Sequence, residues 1–512
     1  MAHNTEHLPR RRRRANQAQT RRKHGTAPPR CLLGAAARRA ASSLPIASNI
    51  DVTMLDSSAR LTGLLCGTQP MNDIWAPRAT LQRMLDVEAA LARASAAHHV
   101  IPETAVPAIE AACQADQLDA DTLARDAALG GNLAIPLVKQ LTARVKAANA
   151  EAAKYVHWGA TSQDIIDTAT VLQLRDTFEL LNSGLQATCD AIAKLAATHR
   201  ATPMIGRTWL QQALPITLGL KFAQWLDALL RHRERLDALR ARVLVLQFGG
   251  AAGTLASLRE AAPRVTQSLA KELGLAVPTL PWHTQRDRIA ETASLFGMLI
   301  GTLGKIARDV SLQMQTEIDE LAEPAAAGKG GSSTMPHKRN PVGCAAVLTA
   351  ATRAPGLVAT VFAGMVQEHE RALGGWQAEW DALPDLARLA GGALANIQQI
   401  AAGLNVNEAR LAANLDVTHG LILGEAVMLA LGDSIGRLDA HHLVERASKA
   451  AIRDGKTLYD VLAADAAVTE HLPLERLKQL LDPAQYVGQA HAYVDAALAL
   501  HTTRAQRAHS KE

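Results

Sequence analysis

The chain has 512 residues, of which 48% are hydrophobic, 20% charged and only 3% aromatic. This length exceeds what one ordinary core serves, so we expect two or three subdomains. Abundant Ala and Leu with few aromatics favour closely packed helices over a β-sandwich or barrel. No run of 18 uncharged apolar residues occurs, which predicts no membrane span. The five cysteines are scattered without a C-x-x-C pair, which indicates a reducing, cytoplasmic location without disulfides or zinc.

The net charge of +5 comes from the first 50 residues, which hold eleven Lys or Arg and one acid, Glu6. The rest of the chain is acidic, with a net charge of about −5. Three interpretations of residues 1–53 stay open: a nucleic-acid or anionic-surface binder, a targeting peptide, and a disordered or spurious extension with Met54 as the true start. The last is preferred, so a nucleic-acid partner is not expected.

Helical periodicity dominates from residue 76 onward. An amphipathic helix is predicted over 79–100, and a second runs from a capping box at Thr161 and Asp164 to about Thr198. A third, with an unbroken apolar stripe, is predicted from about Arg286 to Ala322, and a fourth over 345–365. Helices this long need long neighbours, so we expect an all-α bundle with only trivial β content, which also forms an oligomer core.

The loop "GKGGSSTMPHKRNP", residues 328–341, interrupts this helical pattern. Pro324 ends the preceding helix, the glycines supply freedom, and Pro336 and Pro341 stiffen the far side. The loop is either an active-site lid or a plain surface connection. Its crowding of hydroxyl, basic and amide side chains favours the lid.

Within this loop, "GSSTMPHKRNP" matches every position of the G-S-S-x-M-P-x-K-x-N-P signature and thus resembles the fumarase/aspartase superfamily. "HWGATSQDIIDTA" (157–169) and "GRTWLQQALPITLG" (206–219) resemble two further regions of that superfamily, in the expected order. The resemblance covers residues 55–500. It implies a three-domain, all-α protomer in a homotetramer, with each active site shared among three subunits.

The resemblance also implies the chemistry, which is β-elimination or its reverse beside a carboxylate. By motif position Ser332 exchanges a proton with carbon, while Lys338 and Asn340 hold the charge that develops there. An isolated serine is too weak a base, so it would need the cationic and amide donors that the loop can supply. Further loop contacts with the substrate are expected from Ser333, Met335 and His337.

Two departures from the superfamily pattern change the expected reaction. The histidine of T-H-x-Q is replaced by Trp209, and the glutamate that orients it by Ala345. An amine or hydroxide leaving group must be protonated, whereas a carboxylate, with a pKa of about 4, departs unaided. The pattern therefore favours a lactone-forming cycloisomerase. Segments such as "PWHTQRDRIAE" and "ERALGGWQAEWDALPDL" resemble the cycloisomerases of the superfamily.

The expected substrate is a small tricarboxylate, which demands cations, and neither a metal nor a cofactor is expected. Each candidate also has a structural alternative. Thr161 and Ser162 either donate to substrate or only cap a helix. Arg286 and Arg288 are either substrate contacts or a solvated pair, and His157 is either a ligand or a structural histidine. Trp209 either lines the pocket or packs in the core, and Gln211 is a further candidate beside it.

Three rival functions stay open: an adenylosuccinate or argininosuccinate lyase type of amine elimination that releases fumarate, a silent structural protein, and a nucleic-acid binder acting through the arm. The predicted domains are the arm at 1–53, a helical domain at 54–165, the central bundle at 166–405 with the serine loop at 323–341, and a C-terminal helical domain at 406–512.

Overall fold

A computed structural model describes residues 62–326, 328–331 and 333–509. The predicted arm, Met54 and Ser332 lie outside these residues. In the described chain, helices dominate and strands are few, so the all-α prediction is confirmed. The subdomain boundaries stay a prediction.

The N-terminal part is a group of helices around a buried α2. The helices are α1 (Gln69–Ile74), α2 (Pro77–Ala97), α3 (Val106–Ala112), α4 (Ala120–Gly130) and α5 (Ala134–Ala148). Helix α2 confirms the helix predicted over 79–100 and packs against α6 (Ser162–Thr198) and α8 (Ala262–Leu273). Its apolar residues join the same continuous core as the central bundle.

Five long helices form the central bundle, and α8 lies outside it against α2. The five bundle helices are α6 (Ser162–Thr198), α7 (Leu218–Val243), α9 (Asp287–Gln313), α10 (Val342–Ala363) and α11 (Gly375–Gly403), while α8 spans Ala262–Leu273. Helix α6 confirms the predicted bounds and its capping box is present. At 1.5 Å per residue α6 is about 55 Å long and α9 about 40 Å.

The predicted end of the third helix at Ala322 is wrong, because α9 ends at Gln313. After it the chain turns through Asp319, whose φ is 50°. The strand β3 (Leu321–Ala322) then pairs antiparallel with β4 (Asn405–Val406). The apolar period continues past Gln313 because Leu321 is buried in this pairing, so periodicity alone did not reveal the change of backbone.

A β-hairpin between α6 and α7 is the main strand element of the described chain. Strand β1 (Pro203–Thr208) pairs antiparallel with β2 (Gln211–Thr217), with an irregularity between Ile205 and Arg207. The sequence did not predict this hairpin. Its turn residues lack the usual Asn-Gly signal, although both adopt positive φ.

The C-terminal part has a small core of its own, separate from that of the bundle. Its helices are α12 (Glu408–Asp416), α13 (Gly424–Ile435), α14 (Arg437–Asp454), α15 (Leu458–Ala463), α16 (Ala466–Thr469), α17 (Leu474–Leu480) and α18 (Ala490–His509). The last helix returns to pack on α6 and α7.

Among the described residues, two bundle helices, α9 and α10, are long and apolar enough to cross a membrane, judged by length and composition alone. A bent pair of helices, Glu408–Asp416 with Leu421–Ile435, reaches the same criterion only if the two are counted as one broken span. The sequence predicted no such span, because charged residues interrupt the apolar runs of both helices. Of the apolar window of α9, 61% is buried inside the protein, against α7, α10 and α11. Only 33% of the α10 window is buried, so α10 presents an apolar face outward.

Candidate active site

The N-terminus of α6 is built on a buried carboxylate, that of Asp164. Asp164 accepts hydrogen bonds from the backbone N–H of Thr161 (3.0 Å), Gly249 (2.9 Å) and Gly250 (2.9 Å). His283 Nε2 lies 2.7 Å from the same side chain. These contacts confirm the capping role of Thr161. Ser162, the first residue of the helix, is only partly buried, so its hydroxyl stays a candidate donor.

His157 precedes this helix and adopts a positive φ of 59°. Its Nδ1 lies 2.6 Å from Oε1 of Glu88, a carboxylate that is 1% exposed. Burial disfavours the charged imidazole, but the charge and hydrogen bond of Glu88 and the charge of Asp164 outweigh it, so the pKa of His157 is raised. His157 therefore carries positive charge to a higher pH than a free histidine, as an anion site requires.

Arg371 completes this end of the bundle, and sequence analysis missed it. Its Nη1 donates to Thr161 Oγ1 at 2.6 Å, and its guanidinium carbon lies 5.8 Å from the ring centre of Trp376. Burial lowers the pKa of Arg371, although Asp164 and Asp167 act in the opposite direction. Arg371 lies within "ERALGGW", a segment that resembles the cycloisomerases of the superfamily but gave no reason to single out its arginine. We call His157, Thr161, Ser162 and Arg371 the α6 cluster.

The candidate role of Arg286 as a substrate contact is corrected by the structure. Arg286 is 2% exposed, and its guanidinium lies between two buried carboxylates. Nη1 and Nη2 donate to Asp167 at 2.7 and 3.1 Å, while Nε and Nη2 donate to Glu379 at 3.0 and 2.5 Å. The two carboxylate charges outweigh burial and raise the pKa of Arg286. These contacts occupy the guanidinium, so Arg286 joins α6, α9 and α11 rather than offering charge to a ligand.

Arg288 lies in the first turn of α9, and its side chain reaches the C-terminal end of α7. Its Nε donates to the backbone oxygen of Arg242 at 2.9 Å, and its guanidinium carbon lies 5.9 Å from the ring centre of Trp282. It is partly exposed. Its substrate role stays a prediction.

Trp209 lies at the tip of the β1–β2 hairpin, where its side chain is 98% exposed. Trp209 and Leu210 both have positive φ, 53° and 64°, a strained conformation for bulky residues. Gln211 follows at the exposed start of β2. Trp209 therefore does not pack in the core of one protomer, and its role in lining the pocket stays a prediction. The hairpin is held from below by a bidentate ion pair between Arg207 and the buried Glu320, at 2.8 and 2.7 Å.

The serine loop lies near the base of this hairpin. It follows β3, and Glu320, the residue just before β3, binds Arg207 of the hairpin. Ser332 falls outside the described residues, so its catalytic role stays a prediction. Ser333, Met335, His337 and Lys338 are exposed on the loop. Asn340 is partly buried, and its backbone N–H donates to Gly330 O at 2.8 Å.

The predicted site residues thus form two groups at opposite ends of the bundle. The α6 cluster lies at the N-terminal end of α6, whereas the hairpin with Trp209 begins only five residues after its C-terminal end. Helix α6 alone separates them by about 55 Å. The serine loop lies at the hairpin end, because Glu320, which precedes it, binds Arg207. One protomer therefore does not bring the predicted residues together.

The described parts of the chain contain no candidate metal-binding site. No group of three or more His, Cys, Asp or Glu side chains there is placed to hold a metal ion. The α6 cluster offers only hydrogen-bond donors and cations. Chemically, it can bind and orient a carboxylate.

Comparison with known families identifies the class of protein. A family model described as lyase matches residues 66–356, and one described as adenylosuccinate lyase C-terminus matches residues 420–497. The first covers more than half of the chain. The chain therefore belongs to the lyase family, to which the superfamily signature had pointed.

Within the lyase family, this chain is similar to enzymes that act on 3-carboxy-cis,cis-muconate. The 3-carboxy-cis,cis-muconate cycloisomerase of Pseudomonas aeruginosa is 56% identical over 432 residues, which cover 84% of this chain and 94% of the relative. The enzyme of the same name from Bradyrhizobium diazoefficiens is 56% identical over 82% of this chain and 93% of its own length. The crystal structure of 3-carboxy-cis,cis-muconate lactonizing enzyme from Pseudomonas putida superposes with a TM-score of 0.83 at 50% identity, covering 87% of this chain and 99% of that one.

Proposed function

We propose that this protein is an isomerase that closes 3-carboxy-cis,cis-muconate to its carboxymuconolactone. The relatives and the solved neighbour with that name support this assignment over amine elimination. The observation in the site that carries it is the replacement of the acid pair: an indole stands at Trp209 and a methyl group at Ala345. By the name of these relatives, we place the reaction in protocatechuate breakdown through the β-ketoadipate route, in the cytoplasm.

The proposed reaction is an internal addition. One substrate carboxylate oxygen forms a C–O bond to an alkene carbon while the alkene π bond breaks. The electron pair moves onto the neighbouring carbon, as an aci-carboxylate, and a proton from Ser332 then adds to that carbon. Solvent returns a proton to the serine. The trianion becomes a lactone with two carboxylates, so no leaving group needs an acid.

Charge recognition is assigned to the α6 cluster. The guanidinium of Arg371, the protonated imidazole of His157 and the N–H groups at the start of α6 all favour a carboxylate. Lys338 and Asn340 lie at the opposite end of the bundle, so they would reach the same substrate from another subunit. There they stabilise the charge that develops on the aci-carboxylate. Trp209 covers the reacting atoms and excludes water.

We infer that a homotetramer assembles the complete site. The two groups of residues lie at opposite ends of α6, so a second copy must supply the missing half. Two surfaces support this inference: the outward apolar face of α10, and the exposed, strained tip formed by Trp209 and Leu210. A large exposed apolar surface of this kind is typical of an interface.

The decisive test is an ultraviolet assay on 3-carboxy-cis,cis-muconate. Absorbance of the conjugated diene should fall with the wild type and stay constant with Ser332→Ala. A wild-type protein that leaves the absorbance unchanged, or that releases fumarate from adenylosuccinate or argininosuccinate, contradicts the assignment.

A further inference from the structure

A buried carboxylate, that of Glu323, lies at the base of the serine loop and has no part in the reaction proposed above. It is 3% exposed and directly follows β3. Its side chain accepts hydrogen bonds from the backbone N–H of Gly343 (3.1 Å) and Cys344 (2.7 Å), in the first turn of α10. An anion is favoured there by the unpaired N–H groups and the helix dipole. Glu323 therefore caps the helix that follows the loop, although it precedes the loop in the chain.

This cap comes from an unusual direction. The N-cap residue of α10 is Pro341, which makes no side-chain cap hydrogen bond. A cap that only stabilised the helix would ordinarily come from the N-cap side chain. Here the acceptor reaches across from the other side of the loop, so the same contact fixes the distance between the two ends of the loop.

Further contacts close the stem of the loop around Glu323. Arg339 Nη2 donates to the Glu323 backbone oxygen at 2.8 Å, and Lys329 Nζ lies 3.9 Å from Glu323 Oε2. One layer further out, Asn340 N–H donates to Gly330 O at 2.8 Å. Gly330 has a φ of +73°, and a Cβ there would lie 2.6 Å from Asn340 O. The two sides of the loop can approach this closely only with glycine at that position.

We propose that Glu323 is the positioning residue of the serine loop: by binding both ends of the loop it sets where Lys338 and Asn340 stand relative to the substrate. This inference rests on the proposed function for its kinetic readout. Lys329 contributes through the approach of its ammonium group to the Glu323 carboxylate. The physical reason is geometric, because displacement of a catalytic group by about 1 Å costs on the order of 100-fold in rate.

Glu323→Gln tests the proposal with little change of volume. The amide keeps one acceptor oxygen but turns an N–H₂ group toward the second backbone N–H, and it removes the charge facing Lys329. Glu323→Asp keeps the charge with a shorter reach and should restore part of the loss. Glu317→Gln is the matched control, since Glu317 is an exposed acid in the segment between α9 and β3.

The experiment combines two measurements on the full-length protein. Hydrogen–deuterium exchange of peptides covering 325–342 reports the order of the loop without any substrate. Steady-state kinetics on 3-carboxy-cis,cis-muconate report its catalytic effect. For Glu323→Gln we expect exchange about 10-fold faster in this segment, kcat at least about 10-fold lower, and KM within about 3-fold of wild type. Glu317→Gln should leave all three unchanged.

Two results would overturn the proposal: unchanged exchange in 325–342, or faster exchange with kcat within about 2-fold of wild type. The rate at which a small maleimide alkylates Cys344 gives an independent check. This thiol is buried beside Glu323 and burial raises its pKa, so loosening the stem should accelerate alkylation. If the wild type fails to turn over the substrate, the proposed function is wrong, and the exchange and alkylation data still decide whether Glu323 orders the loop.

Discussion

Replacing Arg286 with Met should unfold the bundle more easily without directly removing a substrate contact. The guanidinium forms ion pairs with both Asp167 and Glu379, which are 2% and 4% exposed. The Met variant leaves two buried carboxylates facing each other without a cation. Removing one partner of a buried ion pair costs about 3–5 kcal/mol. The loss should reach this range, since four hydrogen bonds disappear together.

Two further variants separate the ion cluster from other effects. The triple variant Arg286→Met, Asp167→Asn, Glu379→Gln removes all three charges, and it should recover half or more of the lost stability because no buried charge is left unpaired. Arg371→Met removes a partly exposed cation near the same helix end. Its cost in stability should stay within about 1 kcal/mol, while KM rises by about 10-fold or more through the loss of charge-assisted hydrogen bonds.

Urea unfolding followed by far-ultraviolet circular dichroism measures these differences. All variants are compared at one protein concentration, because the unfolding of an oligomer depends on concentration. The reasoning is refuted if Arg286→Met unfolds within about 1 kcal/mol of wild type while its KM rises as much as that of Arg371→Met. Arg286 would then serve the substrate rather than the fold.

Other predictions concern the two ends of the bundle. Glu88 raises the pKa of His157, so the imidazolium is fully present below the ordinary histidine pKa of about 6.5 and is lost only as pH rises through the higher pKa of the folded protein. The value of 1/KM should therefore fall as pH rises through this higher pKa, and Glu88→Gln should move the fall to lower pH. A pH profile that Glu88→Gln leaves unmoved contradicts a role for the His157 charge in substrate binding. Trp209→His alone should create no fumarate-releasing activity, because the orienting acid stays absent; fumarate release from adenylosuccinate by this variant would show otherwise. At a substrate concentration well below KM, mixed oligomers of Ser332→Ala and Arg371→Met subunits should turn over substrate faster than either variant alone, since some sites then combine two intact halves. No such gain after confirmed subunit exchange argues against shared sites.

Much of the fold could be read from local patterns. The capping box at Thr161 and the apolar period behind it predict α6 to its last residue, because a helix start and a helical stripe are both written in neighbouring residues. The apolar periodicity also predicts α9 but not where it ends. Leu321 continues the apolar pattern because β3 pairs with β4 at residues 405–406, not because the helix continues. A contact of that range has no local signal.

The candidate site divides in the same way. The serine loop and the substitutions at Trp209 and Ala345 are properties of the sequence, and they indicate the class of reaction without any knowledge of tertiary contacts. The fate of the charged residues was decided only by tertiary structure. Arg286 and Arg371 look equally available in the sequence, yet α11 brings Glu379 to the first, while the second meets the hydroxyl of Thr161. The physical reason is that a guanidinium binds whichever hydrogen-bond acceptors the fold places within about 3 Å, and those partners lie about 90 to 210 residues away in the chain.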